Sequence, residues 1–178
     1  MEYQNYLSLL YEENQKRGCP CISPETGEFL HFLVQALKAQ RILEIGTCLG
    51  YSTLWLSKDF KGTVTTLEKN CLSFEEAQKH FKKIGVSTIS PLLGDAKTLI
   101  STLTTPFDFI FIDAIKKEYV TYIQLLEKNK LLQKRCLIVA DNITSHADLV
   151  QDYVTHMEKN YQSVLVPVGS GLLLSVQR

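Results

Sequence analysis

The sequence predicts a doubly wound, mostly parallel α/β sheet with an antiparallel C-terminal strand and helices on both faces. Strand-like and helix-like stretches alternate from Arg41 onwards, the pattern of βαβ units with right-handed crossovers. Two continuous apolar runs, Phe107–Ile112 and Cys136–Ala140, have the composition of central parallel strands covered on both sides. The chain closes on VLVPVGSGLLLSV, two short strands around Gly169-Ser170-Gly171 that form a predicted hairpin.

Taken in order, Tyr3, Tyr6, Leu7, Leu10 and Tyr11 recur at helical spacing and predict an opening helix with one apolar face, ended by Gly18 to Pro20. Ser23-Pro24-Glu25 supplies an N-cap, a first-position proline and a first-turn acid for a second helix through Phe29, Leu30, Leu33, Val34 and Leu37. The first strand lies within Arg41 to Ile45, and a helix runs from Tyr51 to Lys58. Thr63 to Leu67 is β-branched and strand-like. Ser73-Phe74-Glu75-Glu76 is a capping box for a helix ending at Gly85. Thr88 to Leu93 carries Pro91, which predicts an edge strand because proline cannot donate to a ladder. Glu118 to Leu132 is amphipathic, and His146 to Asn160 is the last predicted helix.

Composition narrows the function classes. At 178 residues the chain suits one domain, with 1–38 as an N-terminal helical addition. Nineteen basic residues balance nineteen acidic ones, which gives no support for non-specific binding to nucleic acid or an anionic membrane. No apolar run approaches the roughly 20 residues of a membrane span. The opening segment MEYQNYLSLLYEENQKR is acidic at residue 2 and polar, unlike a secretory signal, so a cytoplasmic protein is expected. The five cysteines are scattered apart from Cys19-Pro20-Cys21, so free thiols are expected.

The stretch RILEIGTCLGYS, Arg41 to Ser52, is the candidate ligand cradle: a strand, a loop between Gly46 and Gly50, then a helix whose free N–H groups face the loop. Alone, it also describes an ordinary strand, turn and helix. The ends of the other strands add weight. Glu44, Glu68, Asp95, Asp113 and Asp141 place an acid at or beside the end of each of five parallel strands, where doubly wound sheets bind ligands. Glu68, some twenty residues past the glycine loop, suits a ribose diol. The loop offers G-x-x-x-G and lacks the dinucleotide fingerprint, and Glu44 beside it suits a ligand with an amino group. A nucleoside with an amino-acid tail, S-adenosylmethionine, meets these terms. Asp113, Asp141 and Asn142 could hold one hard divalent cation, and Lys116 is placed to take a proton from a hydroxyl beside it.

From Ile22 to Gly171 the sequence resembles the cation-dependent, S-adenosylmethionine-dependent O-methyltransferases of the catechol and caffeoyl-CoA type. The resemblance is carried by LEIGTCLGYST, Glu68, Gly94-Asp95-Ala96, FIDAIKKEYVTY, VADN and PVGSGLLL. It implies a single Rossmann-like class I methyltransferase domain. It implies that Glu44, Gly46, Thr47, Gly50, Tyr51, Ser52, Glu68, Asp95, Ala96, Asp113 and Tyr122 hold the cofactor. It further implies Asp113, Asp141 and Asn142 as ligands of magnesium, with manganese or calcium as alternatives, and Lys116 as general base. It implies a small phenol or vicinal diol as the acceptor class, and a homodimer is the family expectation. Two departures stand out: Ile115 replaces a second acid, and the segment after Asn142 is short, which predicts an open acceptor site or one completed by the tyrosines of the first helix or by a partner subunit. A tRNA hydroxyuridine O-methyltransferase of the same fold and a non-catalytic nucleotide-binding module are the alternatives.

Overall fold

The computed structural model describes residues 2–178, and its first helix, α1, spans Tyr3–Lys16. Helix α2 (Pro24–Leu37) begins as its sequence demands, with the Ser23 hydroxyl accepting the Thr26 N–H at 3.2 Å and Pro24 in the first turn. Such a cap contributes about 1 kcal/mol. The sheet then builds through β1 (Arg41–Ile45), α3 (Tyr51–Ser57), β2 (Thr63–Glu68), α4 (Cys71–Ile84), β3 (Ile89–Leu93), α5 (Ala96–Ile100) and β4 (Phe107–Ile112). A 3₁₀ turn at Lys116–Glu118 leads into α6 (Tyr119–Lys128), followed by β5 (Leu132–Ala140), α7 (Ala147–Asn160), β6 (Tyr161–Val166) and β7 (Leu172–Gln177).

The seven strands run in the order β3-β2-β1-β4-β5-β7-β6, with β7 antiparallel to both its neighbours and the remaining pairs parallel. Strand order reverses between β1 and β4, so the crevice above their carboxyl ends is the switch point at which this topology binds ligands. β3 is an edge strand, as Pro91 predicts.

Strand alternation divides the core into two layers. Leu43, Ile45, Ile110, Ile112, Ile138 and Ala140 face α6 and α7, with Ile123, Leu126 and Met157 packed against them. Ile42, Phe109, Phe111 and Val139 face the other side, where Leu7, Leu10, Leu30, Leu54 and Trp55 cover them. The N-terminal helices thus belong to the core: the Tyr3 hydroxyl donates to the Leu54 carbonyl at 2.7 Å.

Some boundaries differ from expectation. α4 starts at Cys71 because the Asn70 side chain, and not Ser73, caps it by accepting the Ser73 N–H at 3.0 Å. β5 begins at Leu132, four residues before its apolar run, because Leu132 already pairs with Phe107 of β4; the polar stretch that follows bulges before pairing resumes at Leu137 and Phe109. α5, too short to show a helical period, follows Asp95, whose side chain accepts the Lys97 N–H at 2.9 Å.

Candidate active site

Gly46 stands where the crevice narrows. Its φ is +102°, and a Cβ there would lie 2.1 Å from the Asp113 carbonyl oxygen, so only glycine lets the ends of β1 and β4 approach this closely. The next turn is left-handed at Cys48, with φ of 49°, and aims the Cys48 N–H at Glu68 Oε2, 2.7 Å away. The Asn70 N–H donates to Glu68 Oε1 at 2.8 Å. Two backbone donors therefore fix the Glu68 carboxylate and leave lone pairs free for a ligand.

A cavity of about 290 Å³ opens at this point, with Gly46, Glu68, Asp95, Ala96, Asp113, Lys116 and Tyr122 among its walls. The sheet order sets these groups in a row, Asp95 after β3, Glu68 on β2, Gly46 after β1, Asp113 and Lys116 after β4, and then Asp141 and Asn142 after β5. Four inter-strand steps make the row about 19 Å long. Glu118, which sequence reasoning missed, also lines the cavity. It accepts from Lys97 Nζ at 2.6 Å and from the Tyr122 hydroxyl at 2.7 Å, so it fixes the tyrosine. No spacing signal marked it, because it stands in a 3₁₀ turn without a period.

At the far end of the row, four predicted residues converge. Asp113 Oδ1 accepts from Asn142 Nδ2 at 2.7 Å and from Lys116 Nζ at 3.1 Å. Asp141 accepts its neighbour's backbone N–H, from Asn142, at 2.6 Å, and also the Ser170 hydroxyl from the closing hairpin. Ser170 was visible in the sequence only as a turn residue. Burial, and then the facing Asp113, push the Asp141 carboxyl up to about 6. Two acids with one lysine, paired to Asp113, form a site short of positive charge. The candidate donor set is two carboxylates and the Asn142 amide, whose nitrogen faces Asp113 and whose oxygen accepts from the Ser145 hydroxyl at 3.4 Å, so the amide must turn over to present oxygen to a cation. Among the described residues no three His, Cys, Asp or Glu side chains gather as a metal-binding group. Further ligands of a hard cation would be water or substrate oxygens.

Other predicted residues stand apart from the cavity. Glu44 is fully buried on the Ile42 face of β1, where it accepts from Ser52 Oγ at 2.6 Å, from Thr66 Oγ1 at 2.5 Å and from the Thr53 hydroxyl. Strand alternation sends it beneath the loop, so it braces α3 against β2 rather than lining the cavity wall. Gly50 packs against Phe81 of α4. Thr47, Tyr51 and Ser52 line a small recess beyond Gly46. Ile115 lies on the cavity wall, 38% exposed, whereas Tyr3 and Tyr6 of α1 are turned away, onto Leu54 and His80.

Glu44 carries a pH prediction. Its carboxyl is pushed from 4.5 up to about 7 by burial, against the pull of its three hydroxyl donors. A folded pKa above the unfolded one means that this group's stabilisation is fully present below pH 4.5 and is lost as pH rises through about 7. Glu44→Gln is neutral throughout. Its stability relative to the parent is expected to rise by about 3 kcal/mol between pH 4.5 and pH 8 in urea titrations. A difference independent of pH would show that Glu44 ionises as it does in the unfolded chain.

The family model described as O-methyltransferase matches residues 2–175. The chain belongs to this O-methyltransferase family. Among its relatives, a catechol O-methyltransferase of Mycobacterium tuberculosis is 38% identical over 126 residues, covering 68% of this chain and 56% of the relative. A catechol O-methyltransferase of Niastella koreensis is 36% identical over 147 residues, covering 78% of this chain and 66% of the relative. The chain thus spans between about half and two thirds of the length of these curated O-methyltransferases. The O-methyltransferase from Bacillus cereus, solved in complex with SAH, superposes with a TM-score of 0.85 at 25% identity, over 98% of this chain and 91% of that one. Among the described residues no helix is long and apolar enough to cross a membrane.

Proposed function

We propose that this chain is a divalent-cation-dependent O-methyltransferase that transfers a methyl group from S-adenosylmethionine to a hydroxyl of a small phenol or vicinal diol. The observation that carries the reading is the row of strand-end groups, which joins a nucleoside-sized cavity at Glu68 to the acids Asp113 and Asp141, with Lys116 on Asp113. The residues present fit both absent groups. Glu68 is a pre-oriented diol acceptor, and the Asp113 and Asp141 pair has only one lysine to balance it.

When bound, S-adenosylmethionine supplies an electrophilic methyl group on sulfur, and a divalent cation supplies the positive charge that eases ionisation of the acceptor hydroxyl. Asp113, Asp141 and the Asn142 amide, turned over to present its oxygen, would hold the cation. Glu68 would hold the ribose hydroxyls, with Asp95, Ala96 and Tyr122 lining the adjoining wall. Lys116 Nζ, once it has given up its own proton, would take the hydroxyl proton, and Asp113, 3.1 Å away, would steady the ammonium that results. Placement of the two reactants in one crevice converts an encounter into a positioned reaction, which is where much of the rate of such transfers lies. A homodimer and a cytoplasmic location accompany this reading.

Removing the charge on Glu68 tests the cofactor half. A hydrogen bond to a charged acceptor contributes about 1.5–3 kcal/mol. Glu68→Gln is therefore expected to weaken S-adenosylhomocysteine binding about 10- to 100-fold by calorimetric titration. Unchanged affinity would place the ribose elsewhere. Labelled S-adenosylmethionine offered with bulk tRNA and, separately, with a catechol panel tests the acceptor class. Label on the catechols supports the proposal, and label on the tRNA alone would replace it with an RNA-modifying activity at the same site.

A further inference from the structure

Beyond the main cavity, across the Gly46 backbone, lies a recess of about 30 Å³. Asn14 of α1, Tyr51 and Ser52 wall it, and Gly46 and Asp113 belong both to it and to the main cavity. Asn14 is 1% exposed, and its Oδ1 is buried without a hydrogen-bond partner. Buried amide oxygens are ordinarily satisfied, so an unpaired one on a cavity wall points to a missing donor.

No side chain of the recess supplies that donor as it stands: Tyr51 and Cys21 also line it, and neither hydrogen-bonds Asn14 Oδ1. The Ser52 hydroxyl is committed to Glu44 at 2.6 Å, and Thr47 Oγ1 pairs with Thr66 Oγ1 at 2.5 Å. No lysine, arginine or histidine lines the recess, whereas Asp113 does, with its backbone carbonyl oxygen against Gly46. Its polar chemistry therefore lacks a cation beside two acceptors. An ammonium group satisfies both, because it has three donors and a positive charge. A ligand whose nucleoside is held at Glu68 extends along the row towards Gly46, and its tail then meets this recess.

We infer that Asn14 is a cofactor-positioning residue whose Oδ1 accepts a hydrogen bond from the α-ammonium of the methionyl tail of S-adenosylmethionine. This inference rests on the methyltransferase reading given above. It assigns α1 a role that its apolar packing face does not reveal: the helix closes the tail end of the cofactor site, and a polar residue on its buried side makes the contact. In the sequence, Asn14 lies at the end of that helix one turn beyond Leu10, where burial of an amide has no packing rationale.

The test is calorimetric titration of the full chain and of Asn14→Leu with two ligands. S-adenosylhomocysteine carries the tail, and 5′-methylthioadenosine has the same nucleoside and a thioether but no amino acid. Asn14→Leu is expected to weaken the first at least about tenfold and to leave the second within about twofold. Asn14→Ala, measured alongside, is expected to show the same selectivity, and retained affinity for 5′-methylthioadenosine reports an intact fold in both variants. Equal weakening of the two ligands would make Asn14 a structural residue, and undiminished S-adenosylhomocysteine binding would remove it from the site. A parent chain that binds neither ligand overturns the methyltransferase reading and this inference together, a result distinct from loss of selectivity.

Discussion

Asp141→Ala is expected to lower methyl transfer at least about a thousandfold while leaving S-adenosylhomocysteine affinity within about threefold. A cation that promotes ionisation of a hydroxyl contributes several kcal/mol, and about 4 kcal/mol corresponds to a factor of a thousand in rate. Cofactor binding is spared because Asp141 lies three strands along the sheet from Glu68, outside the cavity walls. The alanine variant also frees the Ser170 hydroxyl and the Asn142 N–H, both of which Asp141 now accepts. Asp141→Asn keeps an acceptor for each and removes only the charge, so a comparable loss of turnover in it assigns the effect to the cation. Turnover that survives both changes would detach the acid pair from the chemistry.

Lys116→Met is expected to cost about 10²- to 10⁴-fold in turnover near neutral pH, the usual worth of a positioned base. Part of the loss should return above about pH 9, where the acceptor hydroxyl ionises without help, since phenols titrate near pH 10. The variant keeps a side chain of similar length, so the packing of the 3₁₀ turn at Lys116–Glu118 is preserved. The pH–rate profile is the deciding readout. A parallel drop at every pH would indicate that Lys116 positions Asp113, to which it donates at 3.1 Å, and does not move the proton.

Most of the fold was legible because its strongest signals are long-range averages over apolar runs. Phe107–Ile112 emerges with the bounds its composition suggests, and the proline of β3 marks a true edge. The less legible parts are those fixed by single hydrogen bonds or by pairing. Asn70 outcompetes Ser73 as a cap because its carbonyl reaches the Ser73 N–H, a matter of geometry within four residues. Gln133 to Arg135 fall within β5 because Leu132 pairs with Phe107 and Leu137 with Phe109, so these three residues bulge between two paired positions, and nothing in their own composition asks for a strand.

The site divides along the same line. Asp113, Lys116, Asp141 and Asn142 were recognisable from their motifs, and the structure brings them together through contacts to one carboxylate oxygen and one backbone step. Glu44 illustrates the opposite case. Its place beside the glycine loop suggested a cavity wall, yet period-two alternation on β1 already put it on the Ile42 side, away from Leu43 and Ile45. Glu118, Ser170 and Asn14 reach the site through the third dimension alone, by a 3₁₀ turn, a hairpin and a packed helix.

The central claim is that the Asp113, Asp141 and Asn142 cluster makes methyl transfer depend on a divalent cation. The direct measurement is transfer of label from S-adenosylmethionine to catechol by the full chain, first freed of metal by chelation and then resupplied with magnesium. The account predicts that chelation abolishes transfer, that magnesium restores it in the parent, and that magnesium restores nothing in Asp141→Asn. Transfer that continues at the same rate in excess chelator would contradict it.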